Sequence, residues 1–199
     1  MNLNELTGYR GIPEIPLFKD ATKEISSYTG IETRKKILGD FLNILKTRGY
    51  TPLGNGAFGI AFKSPHLDYV IKIFKNDAAY LAFVEYCLTR SSPHLPKFRG
   101  KPLSIDGEHF LVRMEMLTPY NQGNKLLLDI SRMCEFFENG GSPSTIKSPI
   151  DKNIYRKHKS LFDVCYDLFK NTQYTYDIHE GNLMMRGDTI VIVDPYYQP

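Results

Sequence analysis

Residues 53–61 read LGNGAFGIA and contain the spacing G-x-G-x-x-G. A dinucleotide-binding fingerprint needs a helix directly after the glycines, because the helix N-terminus meets the pyrophosphate. Here the glycines are followed by IAF at residues 60–62 and by a second strand-forming run, VIKIF, at residues 70–74. A strand, a glycine-rich turn and another strand can form a flap whose backbone N–H groups cover a triphosphate. The stretch disfavours the dinucleotide-binding fold and predicts a nucleotide-binding sheet, with a purely structural turn as the alternative.

A lysine interrupts the second of these runs. On a strand, Val70, Lys72 and Phe74 share one face, so the ammonium group stands on an otherwise apolar surface. Such a lysine can hold the α- and β-phosphates of a nucleotide, as the lysine of the V-A-I-K motif does. A solvated lysine on an edge strand is the alternative.

A buried lysine of this kind needs a carboxylate partner. In the predicted helix 77–90, Leu81, Val84 and Leu88 form one face, and Glu85 falls within it. We therefore predict that Glu85 pairs with Lys72. Asp77 is the second choice, and an exposed Glu85 is the alternative.

Residues 176–183, YDIHEGNL, carry the strongest chemical signal. Asp177 precedes Asn182 by five residues, which is the separation found in H-R-D-x-x-x-x-N catalytic loops. Asp194 follows the apolar run IVIV at residues 190–193, where a metal-binding carboxylate is expected. Asp177 is the predicted catalytic base, and the hard oxygens of Asn182 and Asp194 are predicted to bind Mg²⁺. His179 is predicted to contact the γ-phosphate or to have a structural role.

An adenine pocket is predicted beside residues 109–117, HFLVRMEML. Met114 would line the back of that pocket, and the backbone of residues 115–117 would meet the adenine edge. An ordinary core strand is the alternative. The candidate nucleotide-binding residues are Gly54, Asn55, Gly56, Phe58, Gly59, Ala61, Lys72, Glu85, Met114, Glu115 and Met116.

Composition places the chain among ordinary globular proteins. It has 199 residues, 42% hydrophobic and 24% charged residues, and a net charge of +3. The mild charge does not argue for direct nucleic-acid binding. No apolar run approaches the length of a membrane span, and the N-terminus lacks the pattern of a secretion signal. We expect a cytoplasmic protein with three reduced core cysteines.

Apolar periodicity predicts helices over residues 32–48, 77–90, 124–138 and 151–170, and strands over 50–62, 70–74, 109–117 and 191–194. Strands come early and helices late, which predicts an α+β protein. We divide it into an N-terminal arm and helix (1–49), a sheet lobe (50–117) and a reduced helical lobe (118–199).

Taken together, these motifs resemble the early serine/threonine protein kinases of T-odd coliphages and their relatives. The resemblance is carried by GNGxF at 54–58, VIK at 70–72, AAYxAF at 78–83, DxHxGN at 177–182 and DP at 194–195. It implies a two-lobed kinase-like fold, use of ATP and Mg²⁺, and phosphorylation of host bacterial proteins in the infected cell. No membrane partner is implied.

The chain also departs from ordinary protein kinases. Thr175 and Tyr176 stand where His-Arg would precede the catalytic aspartate, and Pro195-Tyr196 replace the Phe-Gly of D-F-G. Only five residues follow Asp194, so we expect a minimal form without an activation segment, active as synthesised. Self-phosphorylation is expected, if anywhere, in the hydroxyl-rich loop 140–148.

Two other functions remain open. The spacing Asp-x-His-x-x-Asn also occurs in small-molecule phosphotransferases of the aminoglycoside and fructosamine kinase type. A non-catalytic, kinase-like module that binds a host factor is the third possibility.

Overall fold

The chain divides into two units: Met1–Asp77 with Lys97–Met116, and Ala78–Pro96 with Leu117–Pro199. The structure, a computed structural model, describes residues 31–55, 59–170 and 172–197, without the side chains of 31–37 and 55. The predicted N-terminal arm lies outside the described residues. The predicted sheet lobe included residues 78–96, which instead belong to the second unit, where the Phe83 ring packs edge-on against Tyr196 at 6.2 Å.

Within its described residues, unit 1 contains one helix and a five-stranded antiparallel sheet of order β1-β2-β3-β5-β4. The elements are α1 (Ile31–Thr47), β1 (Thr51–Asn55), β2 (Gly59–Lys63), β3 (Tyr69–Lys75), β4 (Leu103–Ser104) and β5 (His109–Glu115). The two strands predicted on either side of the glycine loop are confirmed as the antiparallel pair β1 and β2, and residues 56–58 between them lie outside the described residues.

The sheet of unit 1 buries one face in its own core. Phe62, Ile71 and Leu111 lie on three neighbouring strands and point to this face, because every second side chain of a strand lies on the same side of the sheet. Helix α1 contributes Phe41 and Leu45, four residues apart on one side of the helix. Full burial of each such side chain stabilises the fold by about 1.5–3 kcal/mol.

Gly49 ends helix α1. Its φ of +81° lies in the left-handed region, which glycine adopts at little cost. The Gly49 N–H then donates to the Lys46 carbonyl, and the Tyr50 N–H donates to the Leu45 carbonyl, both at 3.0 Å. This Schellman-type end satisfies two terminal carbonyls and returns Tyr50 to the core beside Leu45.

Unit 2 contains the helices α2 (Ala78–Thr89), α3 (Asn124–Glu138), α4 (Pro149–Lys157) and α5 (Lys159–Phe169). Helix α3 buries Ile130, Met133, Cys134 and Phe137 at helical spacing, and α5 buries Leu161, Phe162, Cys165, Leu168 and Phe169. The two helices pack together, with the rings of Phe137 and Tyr166 5.4 Å apart. All three cysteines are buried and free, as predicted.

The predicted single helix over residues 151–170 is wrong. It is interrupted at His158, whose φ of −120° and ψ of 34° leave the helical region. The turn at residues 156–160 reads RKHKS and has no apolar side chain to anchor it in the core. Helix α5 starts afresh, with the N–H groups of Leu161 and Phe162 donating to the His158 carbonyl.

Short strands complete unit 2. β6 (Thr118–Pro119), β8 (Leu183–Arg186) and β9 (Thr189–Ile192) form an antiparallel sheet, with the hairpin turn at Gly187 in a φ of +59°. β7 (Thr175–Tyr176) pairs with β10 (Tyr196–Tyr197). The chain is thus a mixed α and β protein with antiparallel sheets, and none of its described helices is both long and apolar enough to cross a membrane.

Candidate active site

Hydrogen bonds tie the segment of Asp177 to the segment of Asp194. The Asp177 N–H donates to the Pro195 carbonyl at 2.7 Å, and the Val193 N–H donates to the Asn182 carbonyl at 3.0 Å. The pairing of β7 with β10 extends the same contact by two residues. Unit 2 therefore brings together three stretches of chain that carry predicted catalytic residues, namely 177, 182 and 193–195.

Asn182 stabilises the conformation of this candidate catalytic segment. Its side-chain amide nitrogen donates to the Asp177 carbonyl at 2.7 Å and to Asp177 Oδ2 at 3.1 Å. Both acceptors are oxygens, so only the NH₂ end of the amide can face them. The amide oxygen of Asn182 is consequently turned away from Asp177, and it can serve as a ligand for a hard cation.

His179 is oriented by the backbone. Its Nδ1 accepts a hydrogen bond from the Gly181 N–H at 3.0 Å, at the start of the 3-10 turn Glu180–Asn182. A neutral imidazole that accepts at Nδ1 carries its proton on Nε2. That Nε2 lies 3.8 Å from Asp177 Oδ2, too long for a direct hydrogen bond. The histidine thus presents an N–H on the side of the predicted base.

Asp194 lies two residues beyond β9 and is partly buried. No group of three or more His, Cys, Asp or Glu side chains that could hold a metal exists within the described residues. Mg²⁺ needs no such group, because it commonly takes one or two protein ligands and completes its shell with phosphate oxygens and water. One amide oxygen and one carboxylate fit that requirement.

Two residues that support this segment were missed by sequence analysis. Glu138 Oε1, at the end of α3, accepts a hydrogen bond from the Tyr176 N–H at 3.1 Å. Tyr196 is buried, donates from its hydroxyl to the Leu168 carbonyl at 3.0 Å, and packs on Phe169. A carboxylate that accepts a hydrogen bond from the backbone of a distant segment produces no recurring pattern in the sequence.

Unit 1 places Lys72 in the middle of its sheet. The cross-strand register aligns Gly54, Ala61, Lys72 and Val112 in one row across four strands. Directly opposed residues point to the same face of a sheet, so the Lys72 side chain stands on the face opposite to the α1 core. The alternative of an edge-strand lysine is wrong, because β3 has a neighbour on each side.

The glycines of the loop differ in what their surroundings require. A Cβ on Gly59 would lie 2.5 Å from the Ile73 carbonyl oxygen, so the packing of β2 on β3 demands glycine there. A Cβ on Gly54 would meet no described atom within 4 Å. Packing explains Gly59 but not Gly54. Gly56, Phe58 and the Asn55 side chain lie outside what the structure describes.

The prediction that Glu85 lies on the buried stripe of its helix is wrong. Helix α2 buries Ala79, Tyr80, Phe83, Val84 and Cys87, whereas Glu85 is exposed. The buried stripe is rotated from the predicted one because the aromatic side chains Tyr80 and Phe83 turn inward and leave Leu88 outside. The pairing of Glu85 with Lys72 stays a prediction, without the burial argument.

Met114 lies near the end of β5 and is buried, in the same row as Val70. The Glu115 N–H donates to the Lys97 carbonyl at 3.0 Å, and Glu115 Oε1 accepts from the Lys97 N–H at 2.7 Å. The Glu115 N–H is therefore engaged within unit 1. An adenine edge at this position would use the Glu115 carbonyl or the backbone of exposed Met116.

Neither a protein-family model nor a curated protein sequence matches the chain. Among solved structures, it is similar to the PknI kinase domain of Mycobacterium tuberculosis, with 15% identity and a TM-score of 0.38. The match covers 73% of this chain and 58% of that one, so the chain spans little more than half the length of that structure. So distant a likeness assigns no activity.

Proposed function

We propose that this chain is an ATP-dependent phosphotransferase of the protein-kinase type, which transfers the γ-phosphoryl group to a hydroxyl of a protein. The observation that carries the proposal is the arrangement of unit 2, where hydrogen bonds from Asn182, Val193 and Asp177 join the three stretches of chain with predicted catalytic roles. The sequence resemblance supports serine and threonine acceptors on host bacterial proteins, in the cytoplasm of a phage-infected cell.

Asp177 is the proposed base. Its side chain is 41% exposed, so an acceptor hydroxyl can reach it. The hydroxyl oxygen forms a bond to the γ-phosphorus, the bond from that phosphorus to the β–γ bridging oxygen breaks, and ADP leaves with the electron pair. The hydroxyl proton passes to Asp177 and then to water. Positioning and proton transfer of this kind contribute on the order of 10²–10⁴ in rate.

Asn182 and Asp194 are the proposed ligands of Mg²⁺. When bound, the ion would neutralise charge on the β- and γ-phosphates. The protein contributes a preset amide oxygen, because the NH₂ end of Asn182 is held on Asp177. Such preorganisation means that less side-chain freedom is lost when ligand binds.

The residues of unit 1 are assigned to the nucleotide. Lys72 stands on the face of the sheet that the α1 core leaves uncovered, and Ala61 and Val112 flank it in the same row. An ammonium between small apolar neighbours suits contact with the α- and β-phosphates. A two-lobed kinase arrangement of the two units belongs to the proposal.

A small-molecule acceptor is the second candidate, and His179 is the observation that favours it. The Asp-x-His-x-x-Asn spacing is shared with small-molecule phosphotransferases, and the Nε2–H of His179 is presented on the side of Asp177. The two functions use the same base and metal ligands and differ in the acceptor.

Loop 140–148 is the proposed site of any self-phosphorylation. Ser144 and Thr145 are exposed; Ser144 Oγ lies 2.9 Å from Ser142 Oγ, whereas Ser142 and Thr145 form a capping box that also engages their backbone groups. Incubation with Mg-ATP after phosphatase treatment should add phosphate mass at Ser144 before Ser142 or Thr145. Linear turnover with no mass change would show that the loop is only a connector.

The proposed function is tested with radiolabelled ATP. The full chain is incubated with bacterial lysate in one arm and with a panel of aminoglycosides, sugars and amino alcohols in the other. We expect label on protein hydroxyls. Label that is lost in base indicates phosphoserine, and label that persists indicates phosphothreonine or phosphotyrosine. Label on a small molecule alone would favour the second candidate. No transfer in either arm would favour a non-catalytic module that binds a host factor. Asp194→Asn is the inactive control.

A further inference from the structure

A pocket of about 420 Å³ lies within unit 2, apart from the candidate catalytic residues. Its volume falls in the range of small-ligand sites, about 300–1,000 Å³. Helix α2 and the residue after it supply Ala82, Tyr86 and Arg90, and α5 supplies Asp167 and Leu168. The remaining wall is formed by the segment before the catalytic loop together with Tyr196. None of Asp177, His179, Asn182 or Asp194 lines it.

Arg90 and Asp167 are the charged residues that line the pocket, and Lys170 pairs with Asp167 from outside the lining. Lys170 Nζ donates to Asp167 Oδ1 at 2.6 Å, and the Tyr86 hydroxyl donates to Asp167 Oδ2 at 2.5 Å. These hydrogen bonds hold the pKa of Asp167 below its usual range, so the carboxylate is ionised at neutral pH. Arg90 Nε lies 3.6 Å from the same carboxylate. Arg90 and Lys170 share this single carboxylate, so the three charges sum to one positive charge.

Arg90 supplies N–H donors to this pocket. Both Asp167 oxygens are already engaged, whereas Arg90 makes no hydrogen bond to any residue that the structure describes. The Arg90 guanidinium lies 5.3 Å from the centre of the Tyr86 ring and its side chain is 56% exposed. A guanidinium fixed on an aromatic ring keeps its fork of N–H groups free to bind a planar anion through two hydrogen bonds.

The remaining wall combines the polar residues Thr172 and Gln173 with a flat apolar part. The rings of Tyr174 and Tyr196 lie 5.5 Å apart at 39°, next to Leu168. We propose that this pocket binds a small carboxylate ligand with a flat apolar body, its carboxylate on Arg90 and its body against Tyr174 and Tyr196. A carboxylate carries one negative charge and balances the pocket, whereas a phosphate monoester carries about two near neutral pH and overcompensates it.

The test uses benzoate, benzamide and phenyl phosphate, with the ¹⁵N-labelled full chain and no ATP. Benzoate should shift the backbone amide signals of Ala82, Gln173 and Tyr174 with a Kd on the order of millimolar, as expected for a ligand of nine heavy atoms. Benzamide, which has the same shape without the charge, should bind at least about tenfold more weakly. Phenyl phosphate should bind no more tightly than benzoate.

Arg90→Gln should weaken benzoate binding about 10- to 100-fold, because a charge-assisted hydrogen bond is lost. Arg90→Lys keeps the positive charge but loses the two-pronged guanidinium. Its Kd for benzoate should lie between those of the wild type and of Arg90→Gln. Arg132→Gln is the matched control, since Arg132 is 52% exposed and bonded to Asp151 elsewhere in unit 2. The spectrum of each variant reports whether it is folded.

Three outcomes would overturn the proposal: equal binding of benzoate and benzamide, unchanged binding in a folded Arg90→Gln variant, or tighter binding of phenyl phosphate. Asp194→Asn should keep benzoate binding, and its loss there would place the ligand in the catalytic segment instead. N-acetylphenylalanine mimics a peptide C-terminus. If it binds more tightly than benzoate, the carboxylate comes from a peptide, and if more weakly, from a free small molecule.

Discussion

The two units hold their candidate functional residues in different ways. In unit 1, Lys72 and Ala61 are placed by the register of a regular sheet, where each backbone pairs with the next. In unit 2, Asp177 and Asn182 are placed by a side-chain-to-backbone hydrogen bond within their own segment and by backbone hydrogen bonds to residues 193–195. A side chain on a sheet can be truncated without moving the backbone. In the candidate catalytic segment, by contrast, the Asn182 side chain itself holds the backbone.

The largest expected effect is in unit 2. Asp177→Ala should lower kcat on the order of 10²–10⁴-fold and leave KM for ATP nearly unchanged, because the carboxylate acts on the acceptor. Asp177→Asn is the matched variant, since its amide oxygen can still accept from Asn182. Equal losses of kcat in both variants would identify the carboxylate as the base. Recovery in Asp177→Asn would show that Asp177 only shapes the loop.

In unit 1 the effect should appear in binding. Lys72→Ala should raise KM for ATP about 10- to 100-fold, as expected when charged hydrogen bonds to phosphates are lost. Lys63→Ala is the control, because Lys63 is exposed at the end of β2 on the same face of the sheet. Steady-state kinetics with varied ATP separate the two parameters. A Lys72 variant with unchanged KM would remove the assignment of unit 1 to the nucleotide.

Gly59 and Gly54 of unit 1 should differ in how much an alanine substitution destabilises the fold. Gly59→Ala should destabilise the fold by about 1–3 kcal/mol, because its Cβ would overlap the Ile73 carbonyl. Gly54→Ala should change the free energy of unfolding by less than about 0.5 kcal/mol, as for an open surface position. Urea unfolding of both variants measures this. Equal destabilisation would mean that packing also requires Gly54.

The smallest effect concerns pH and a histidine of unit 2. His94 Nδ1 lies 2.8 Å from the Ile190 carbonyl, and its Nε2 lies 2.9 Å from Ser160 Oγ. Burial is the main cause that lowers the pKa of His94, with Arg186 adding to it. The folded protein therefore favours neutral His94. Its stabilising contribution should be present above the unfolded pKa of about 6.5 and be lost as the pH falls through the folded value.

His94→Gln should flatten part of the fall in stability between about pH 7 and pH 5. His158 contributes in the same direction, because burial and Lys157 lower its pKa as well. Urea midpoints at several pH values test this, with exposed His66→Gln as the control. An unchanged pH profile in the His94 variant would show that its hydrogen bonds persist when the ring is protonated.

Sequence predicted the regular parts of the fold well. Helix α3 was predicted at its observed bounds, because four buried positions recur at helical spacing. Strands β1 and β2 of unit 1 were predicted because the glycine-rich stretch lies between segments with strand character. The break at His158 was missed because apolar spacing continues across it, and local backbone geometry decides such breaks.

The sequence predicted which residues form the candidate site, but not which residues hold them in place. The spacing of Asp177 and Asn182 singled out both residues, and the structure joins them. Glu138 and Tyr196 act through contacts with residues 28 to 38 positions away, which spacing alone does not reveal. Glu85 was misplaced because two faces of an almost uniformly apolar helix compete for burial, and side-chain size decides between them.

The central claim is that Asp177, Asn182 and Asp194 form one phosphoryl-transfer centre that depends on Mg²⁺. The most direct measurement is γ-phosphoryl transfer by the wild type and by Asp194→Asn across a Mg²⁺ titration, with thermal unfolding of both proteins as the check on folding. We predict Mg²⁺-dependent transfer in the wild type and its loss in a folded Asp194→Asn variant at every Mg²⁺ concentration. Near-wild-type turnover in that variant, or transfer by the wild type in excess chelator, would contradict the account.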